Sequence, residues 1–164
     1  MVDTNSKKPR LPIGIDDYKK LINGNYTYID KTLLIKEFLD NANKVTLVTR
    51  PRRFGKSIAL SMLRYFFEKT EEPTAYLFEK SKIWQEEEFK ELQGTFPVIH
   101  ISLKDIRGPT WAEAYEGFKI LLAKEVSRTL GPLASQMDTT QKRTYEALVN
   151  KEASQLPLPE GRGL

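Results

Sequence analysis

The sequence predicts an α/β fold, a mainly parallel sheet flanked by helices, and three observations carry that prediction. Val45-Thr46-Leu47-Val48-Thr49 is short, apolar and β-branched, the pattern of a strand buried on both faces. Val98-Ile99-His100-Ile101-Ser102-Leu103, opened by Pro97, has the same character. Helical apolar spacing fills the chain around these runs, and strands alternating with helices close into a parallel sheet.

Each element has a local cause. Residues 1–10 are polar and read as a flexible lead. Asp16-Asp17 caps a short helix that stops at Asn23-Gly24. Asp30 caps the next one, over residues 31–41, with Leu33, Leu34, Ile35, Phe38 and Leu39 on its buried side. The first strand follows, then a helix from Ser57 to Lys69, ended near Pro73. Two short helices are expected over residues 74–78 and 86–92, ahead of the second strand. Gly108-Pro109 breaks the chain, and Thr110-Trp111-Ala112-Glu113 is a capping box opening a long helix to Leu130. Gly131-Pro132 stops it, and a last helical segment over residues 140–150 is polar on most sides. Residues 151–164 lack periodicity and read as a disordered tail.

Composition narrows the function classes. At 164 residues the chain is one domain by length, and 40% apolar content argues for a packed core over disorder. Zero cysteines exclude disulfide staples and thiolate metal sites and suit a cytoplasmic protein. No apolar run approaches the roughly 18 residues of a membrane-spanning helix, and the start lacks the apolar core of a signal peptide. A net charge of +4 permits anionic partners without demanding them.

The chemistry concentrates between Lys44 and Phe67. The first apolar run leads into Arg50-Pro51-Arg52-Arg53-Phe54-Gly55-Lys56-Ser57, and Ile58 begins an amphipathic stretch with Leu60, Met62, Leu63, Phe66 and Phe67. A loop ending in Gly-Lys-Ser at a helix start is a phosphate-binding geometry: its amides point at the anion and the helix dipole adds positive charge. Arg52, Arg53, Phe54, Gly55, Lys56, Ser57 and Ile58 are therefore the candidate nucleotide-binding residues. Lys56 can reach the β- and γ-phosphates of ATP, and the Ser57 hydroxyl can ligate Mg²⁺. The strict pattern asks for glycine at both ends of the loop, and Arg50 stands in place of the first. Pro51 biases Arg50 toward extended backbone and fixes its own φ, another route to an ordered entrance. The competing readings are a chance tripeptide, a solvated basic cluster, or a grip on nucleic acid through Arg50, Arg52 and Arg53.

Several blocks in order strengthen the nucleotide reading. L-P-I-G-I-D-D-Y (11–18), Y-T-Y-I-D-K-T (26–32), R-P-R-R-F-G-K-S (50–57), F-P-V-I-H-I-S-L-K-D-I (96–106) and T-W-A-E-A-Y (110–115) together resemble the AAA-ATPase-like family. The resemblance covers Leu11 to Asn150, and arginine at position 50 is normal in that family. It implies a P-loop ATPase domain using ATP and Mg²⁺, in proteins that commonly carry a nuclease-like domain resembling the PD-(D/E)XK superfamily. Nucleic acid becomes a possible partner through that second domain.

Hydrolysis needs more than a phosphate cradle: an acidic residue for the metal and a group that orients the attacking water. No run of four apolar residues ending in paired acids follows Ser57. Asp105 is the nearest candidate ligand, with a strand-end role as its rival, and no catalytic residue is assigned. By the resemblance, the acidic Walker B strand lies beyond residue 164, so the expectation is a partial P-loop fold that binds ATP and hydrolyses it poorly. An inert shortened product is the third possibility. His100, the single histidine, reads as a structural residue on a face with Val98 and Ser102. Asp30-Lys31-Thr32 reads as a helix cap, with a place near the base or ribose as the alternative.

Overall fold

The computed structural model describes residues 10–151. It corrects the fold class. Every regular element among the described residues is helical, and the only strand-type pairings are two isolated parallel bridges, Arg10 with Tyr26 and Glu68 with Phe96. Among the described residues the parallel sheet, and with it the sheet-based P-loop architecture, is not formed. Val45 and Leu47 are 84% and 83% exposed where a doubly covered strand would bury them. Ile99, Ile101 and Leu103 are exposed too, although Val98, His100 and Ser102 alternate with them as half-buried residues. The pleated alternation is present, but a β-branched run becomes a strand only when a neighbour supplies a hydrogen-bonding ladder.

The chain divides at Phe96–Pro97 into two compact units. In the first, α1 (Tyr18–Asn23) starts where the Asp17 carboxylate accepts the Lys20 N–H at 2.9 Å. Its other carboxylate oxygen accepts the Tyr65 hydroxyl at 2.9 Å, and the Tyr18 N–H donates to Ser61 Oγ at 2.9 Å. Both Tyr65 and Ser61 lie on α3 (Lys56–Phe67), so the cap of one helix also ties it to another.

α2 (Leu33–Asn41) has Thr32 at its cap position, and Asp30 acts from two residues earlier. The Asp30 carboxylate accepts the Thr32 N–H at 2.8 Å and the Thr32 hydroxyl at 2.7 Å. It also accepts the Lys82 N–H at 2.8 Å, while Thr32 Oγ1 accepts the Ile83 N–H at 3.2 Å. Those donors open the 3₁₀ turn Lys82–Gln85, so this small polar knot joins α2 to a segment fifty residues away in sequence.

Tyr18, Leu21, Ile35, Met62, Phe66, Leu77, Phe78, Ile83 and Phe89 form the core of this unit. Phe78 stacks on Tyr18 and meets Phe66 edge-on, both at 5.2 Å between ring centres. Ala75–Leu77 is a 3₁₀ turn and α4 (Glu87–Lys90) a single turn, shorter than the expected helices but in their places.

The second unit is built on α5 (Trp111–Leu130), capped by Thr110, whose hydroxyl accepts the Glu113 N–H. A 3₁₀ stretch, Gly131–Gln136, leads to α6 (Thr139–Val149), which Asp138 and Gln141 open as a reciprocal capping box. Thr129 and Arg128 donate to the Val98 carbonyl, fixing the segment after Pro97 against α5. Among the described residues no helix is long and apolar enough to cross a membrane.

Candidate functional site

The Gly-Lys-Ser loop is ordered by backbone conformation rather than by a preceding strand. Arg53 and Gly55 both adopt left-handed backbone, at φ 69° and 79°, on either side of Phe54. Two such residues in three turn the chain sharply, and Gly55 then serves as the cap residue of α3. The first bond of that helix runs from the Ala59 N–H to the Gly55 carbonyl at 2.9 Å. The amides of the first turn, Lys56 to Ile58, have no acceptor within the helix and carry its positive end.

Cations gather around this turn. The Lys56 ammonium folds back across the loop and donates to the carbonyls of Arg50 and Pro51, the latter at 3.0 Å. From the segment before α2, the Lys31 ammonium donates to the Phe54 carbonyl at 3.4 Å. A Cβ placed on Gly55 would stand 3.9 Å from that same ammonium. None of Lys31, Arg50, Arg52, Arg53 and Lys56 is ion-paired with a carboxylate among the described residues. The Ser57 hydroxyl, half-buried in the first turn of α3, makes no hydrogen bond there either. A hollow lined by uncompensated cations and helix-terminal amides favours an anion.

Three hollows meet at Gly55. The largest, an open cleft of about 860 Å³, runs between the loop residues Arg52, Arg53, Lys56 and Ser57 and the segment around Gly14. A second, of about 460 Å³, is shared by Lys31, Arg50 and Lys56, with Glu37 as its carboxylate. The third, of about 420 Å³, is mostly apolar, walled by Tyr18, Tyr28, Phe54 and Met62. Burial pushes the Tyr28 phenol above its ordinary range, aided by the nearby Asp30 charge and opposed by the Tyr18 hydroxyl. Burial also pushes the Asp30 carboxyl up, but the hydrogen bonds from Thr32 and Lys82 outweigh it and leave Asp30 below the usual carboxylate value.

The residues singled out from the sequence, Arg52 through Ile58, therefore stand at one turn with their charges gathered. Asp105 ends the 3₁₀ turn Leu103–Asp105 in the second unit, and its side chain lies outside the described residues. Asp30 and Thr32 hold the packing of α2, and Lys31 between them reaches the loop. Sequence reasoning missed that role. The available signal was that the two flanking side chains cap locally, which leaves the middle one free to serve another element.

α3 thus starts at a left-handed glycine with a lysine beside it, and cations outnumber carboxylates around the turn. The chain belongs to the AAA-ATPase-like family: the model described as "Predicted AAA-ATPase" matches residues 12–156. A protein of Azotobacter chroococcum mcd 1, described as "Uncharacterized protein in vnfD 5'region", is 39% identical over 61 residues. That stretch is 37% of this chain and 12% of the relative, so the chain corresponds to a small part of that protein's length. No solved structure matches the chain.

Proposed function

We propose that residues Arg52–Ile58 bind the phosphates of ATP, and that the chain is the nucleotide-binding part of an ATPase. The observation that carries this reading is the turn at Gly55, where helix-terminal amides, Lys56 and three arginines without carboxylate partners face open clefts. Lys56 would exchange its carbonyl partners for phosphate oxygens, a stronger, charge-assisted bond. The Ser57 hydroxyl is the residue here suited to Mg²⁺, which supplies neutralisation of phosphate charge when bound. The apolar hollow beside Phe54 suits a base and sugar, since it shares Arg53, Gly55 and Ile58 with the larger cleft. Asp16 and Glu37 are the carboxylates lining the phosphate side, and neither belongs to a cluster of metal ligands among the described residues. Slow hydrolysis by this stretch is the corresponding expectation, and the cysteine-free sequence suits work in the cytoplasm.

The test is calorimetric titration with MgATP. The unsubstituted chain should bind, and Lys56→Ala should weaken binding at least tenfold, as expected for loss of a hydrogen bond to a charged group, while retaining its helical signal. Equal binding by both chains refutes the assignment. The exposed Arg50, Arg52 and Arg53 favour one second reading, a grip on nucleic acid. That reading calls for DNA binding that falls steeply with added salt and is indifferent to ATP.

A further inference from the structure

We infer that Lys31 is a second ammonium of the phosphate site, delivered to the Gly55 turn by a different element from the one that carries Lys56. This rests on the nucleotide reading above and adds to it a binding residue outside the Gly-Lys-Ser segment. Lys31 lies between two residues whose side chains are fully committed. The Asp30 carboxylate is held by Thr32 and the Lys82 amide, and Thr32 is buried with its hydroxyl shared between Asp30 and the Ile83 amide. Both neighbours fix the backbone at position 31, and that anchoring aims its long side chain across to the loop twenty-three residues on.

The destination of Lys31 is a weak one. A single 3.4 Å bond to the Phe54 carbonyl is long for an ammonium donor, and two of its three N–H groups have no protein acceptor among the described residues. Lys56 behaves likewise on the other side of the turn, resting on the carbonyls of Arg50 and Pro51. The two lysines line one hollow of about 460 Å³, together with Arg50. Glu37 lines the same hollow, but it is not within ion-pair distance of either lysine. Two ammonium groups lining one hollow with no carboxylate in ion-pair contact repel each other, and a polyphosphate between them removes that repulsion while offering charge-assisted partners to both. Lys31 is thus assigned to the phosphate chain rather than to the base, although it also reaches the rim of the apolar hollow.

The experiment uses the full chain and two probes, MgATP and inorganic tripolyphosphate, titrated calorimetrically into the unsubstituted protein, Lys31→Ala, Lys31→Arg and Lys56→Ala. Lys31 is exposed, so its replacement should leave the helical signal intact. Lys31→Ala should weaken both probes by about tenfold, with a shallower dependence on salt, and Lys31→Arg should restore most of the affinity. Unchanged binding in Lys31→Ala, alongside loss in Lys56→Ala, overturns the inference and leaves the nucleotide reading standing. Weakened ATP with unchanged tripolyphosphate also overturns it, because the lysine would then serve the base or sugar. If neither probe binds the unsubstituted chain, the nucleotide reading falls and the inference with it.

Discussion

Replacing Gly55 with alanine separates backbone geometry from charge at the loop. Gly55 sits at φ 79°, ψ 20°, a left-handed conformation that an alanine adopts at a cost of about 1–2 kcal/mol. Sterics add nothing, since the new Cβ would meet only the Lys31 ammonium, at an ordinary contact distance of 3.9 Å. The expected loss is therefore about 1–2 kcal/mol, a fall of several degrees in the melting midpoint for a unit of this size. Gly94 is a matched control: its φ is 70°, and an added Cβ would likewise find its nearest neighbour, the Glu68 carbonyl oxygen, at 3.9 Å. Thermal melts of Gly55→Ala and Gly94→Ala should show similar losses, and calorimetry should show weakened MgATP binding in Gly55→Ala alone. An unshifted melt for Gly55→Ala refutes the conformational argument. Equal weakening of ATP by Gly94→Ala refutes the claim that the turn is the binding element.

The polar ties of the first unit give two further predictions. Asp30→Ala strands the Thr32 and Lys82 amides and should cost about 1–2 kcal/mol in urea denaturation. Because the folded carboxyl titrates below its ordinary value, its contribution is present above the usual aspartate range and is lost as pH falls through the lowered value. The acid limb of stability should flatten in the variant, and an unaltered limb would count against the knot. Tyr65→Phe removes the bond to Asp17 and should cost about 1 kcal/mol. Burial, then that bond, push the Tyr65 phenol from 10.0 up to about 12, so its contribution is whole below pH 10 and is lost as pH rises toward 12. Denaturation at pH 9 and 11.5 should show a steeper loss in the parent than in the variant; parallel losses would contradict the assignment.

Much of the helical structure was legible because its causes are local. Asp17 and Thr110 cap helices through bonds to amides three residues on, and Gly24 and Gly131 stand where helices end, whereas the equally local cap at Asp138 went unread. Such signals need no knowledge of the rest of the chain. The strands were not legible in the same sense. Val45–Thr49 and Val98–Leu103 carry the right residue types, yet a ladder depends on a partner that no periodicity within the run can reveal. The sequence marks Arg52 through Ile58 as a motif, but the shape of that loop arises from left-handed backbone at Arg53 and Gly55, not from a strand feeding it. Non-local recruitment was hidden, apart from the alternative that set Asp30-Lys31-Thr32 near a base or ribose. Lys31 meets Phe54, and Asp30 meets Lys82, through folding alone.

Amide chemical shifts recorded during a MgATP titration probe the proposed role of the Gly55 turn most directly. The largest changes should fall on residues 52–58, with Lys31 and Thr32 next, and should vanish in Lys56→Ala. Perturbations confined to the second unit, or a spectrum unmoved by saturating nucleotide, would contradict ATP binding at the Gly55 turn.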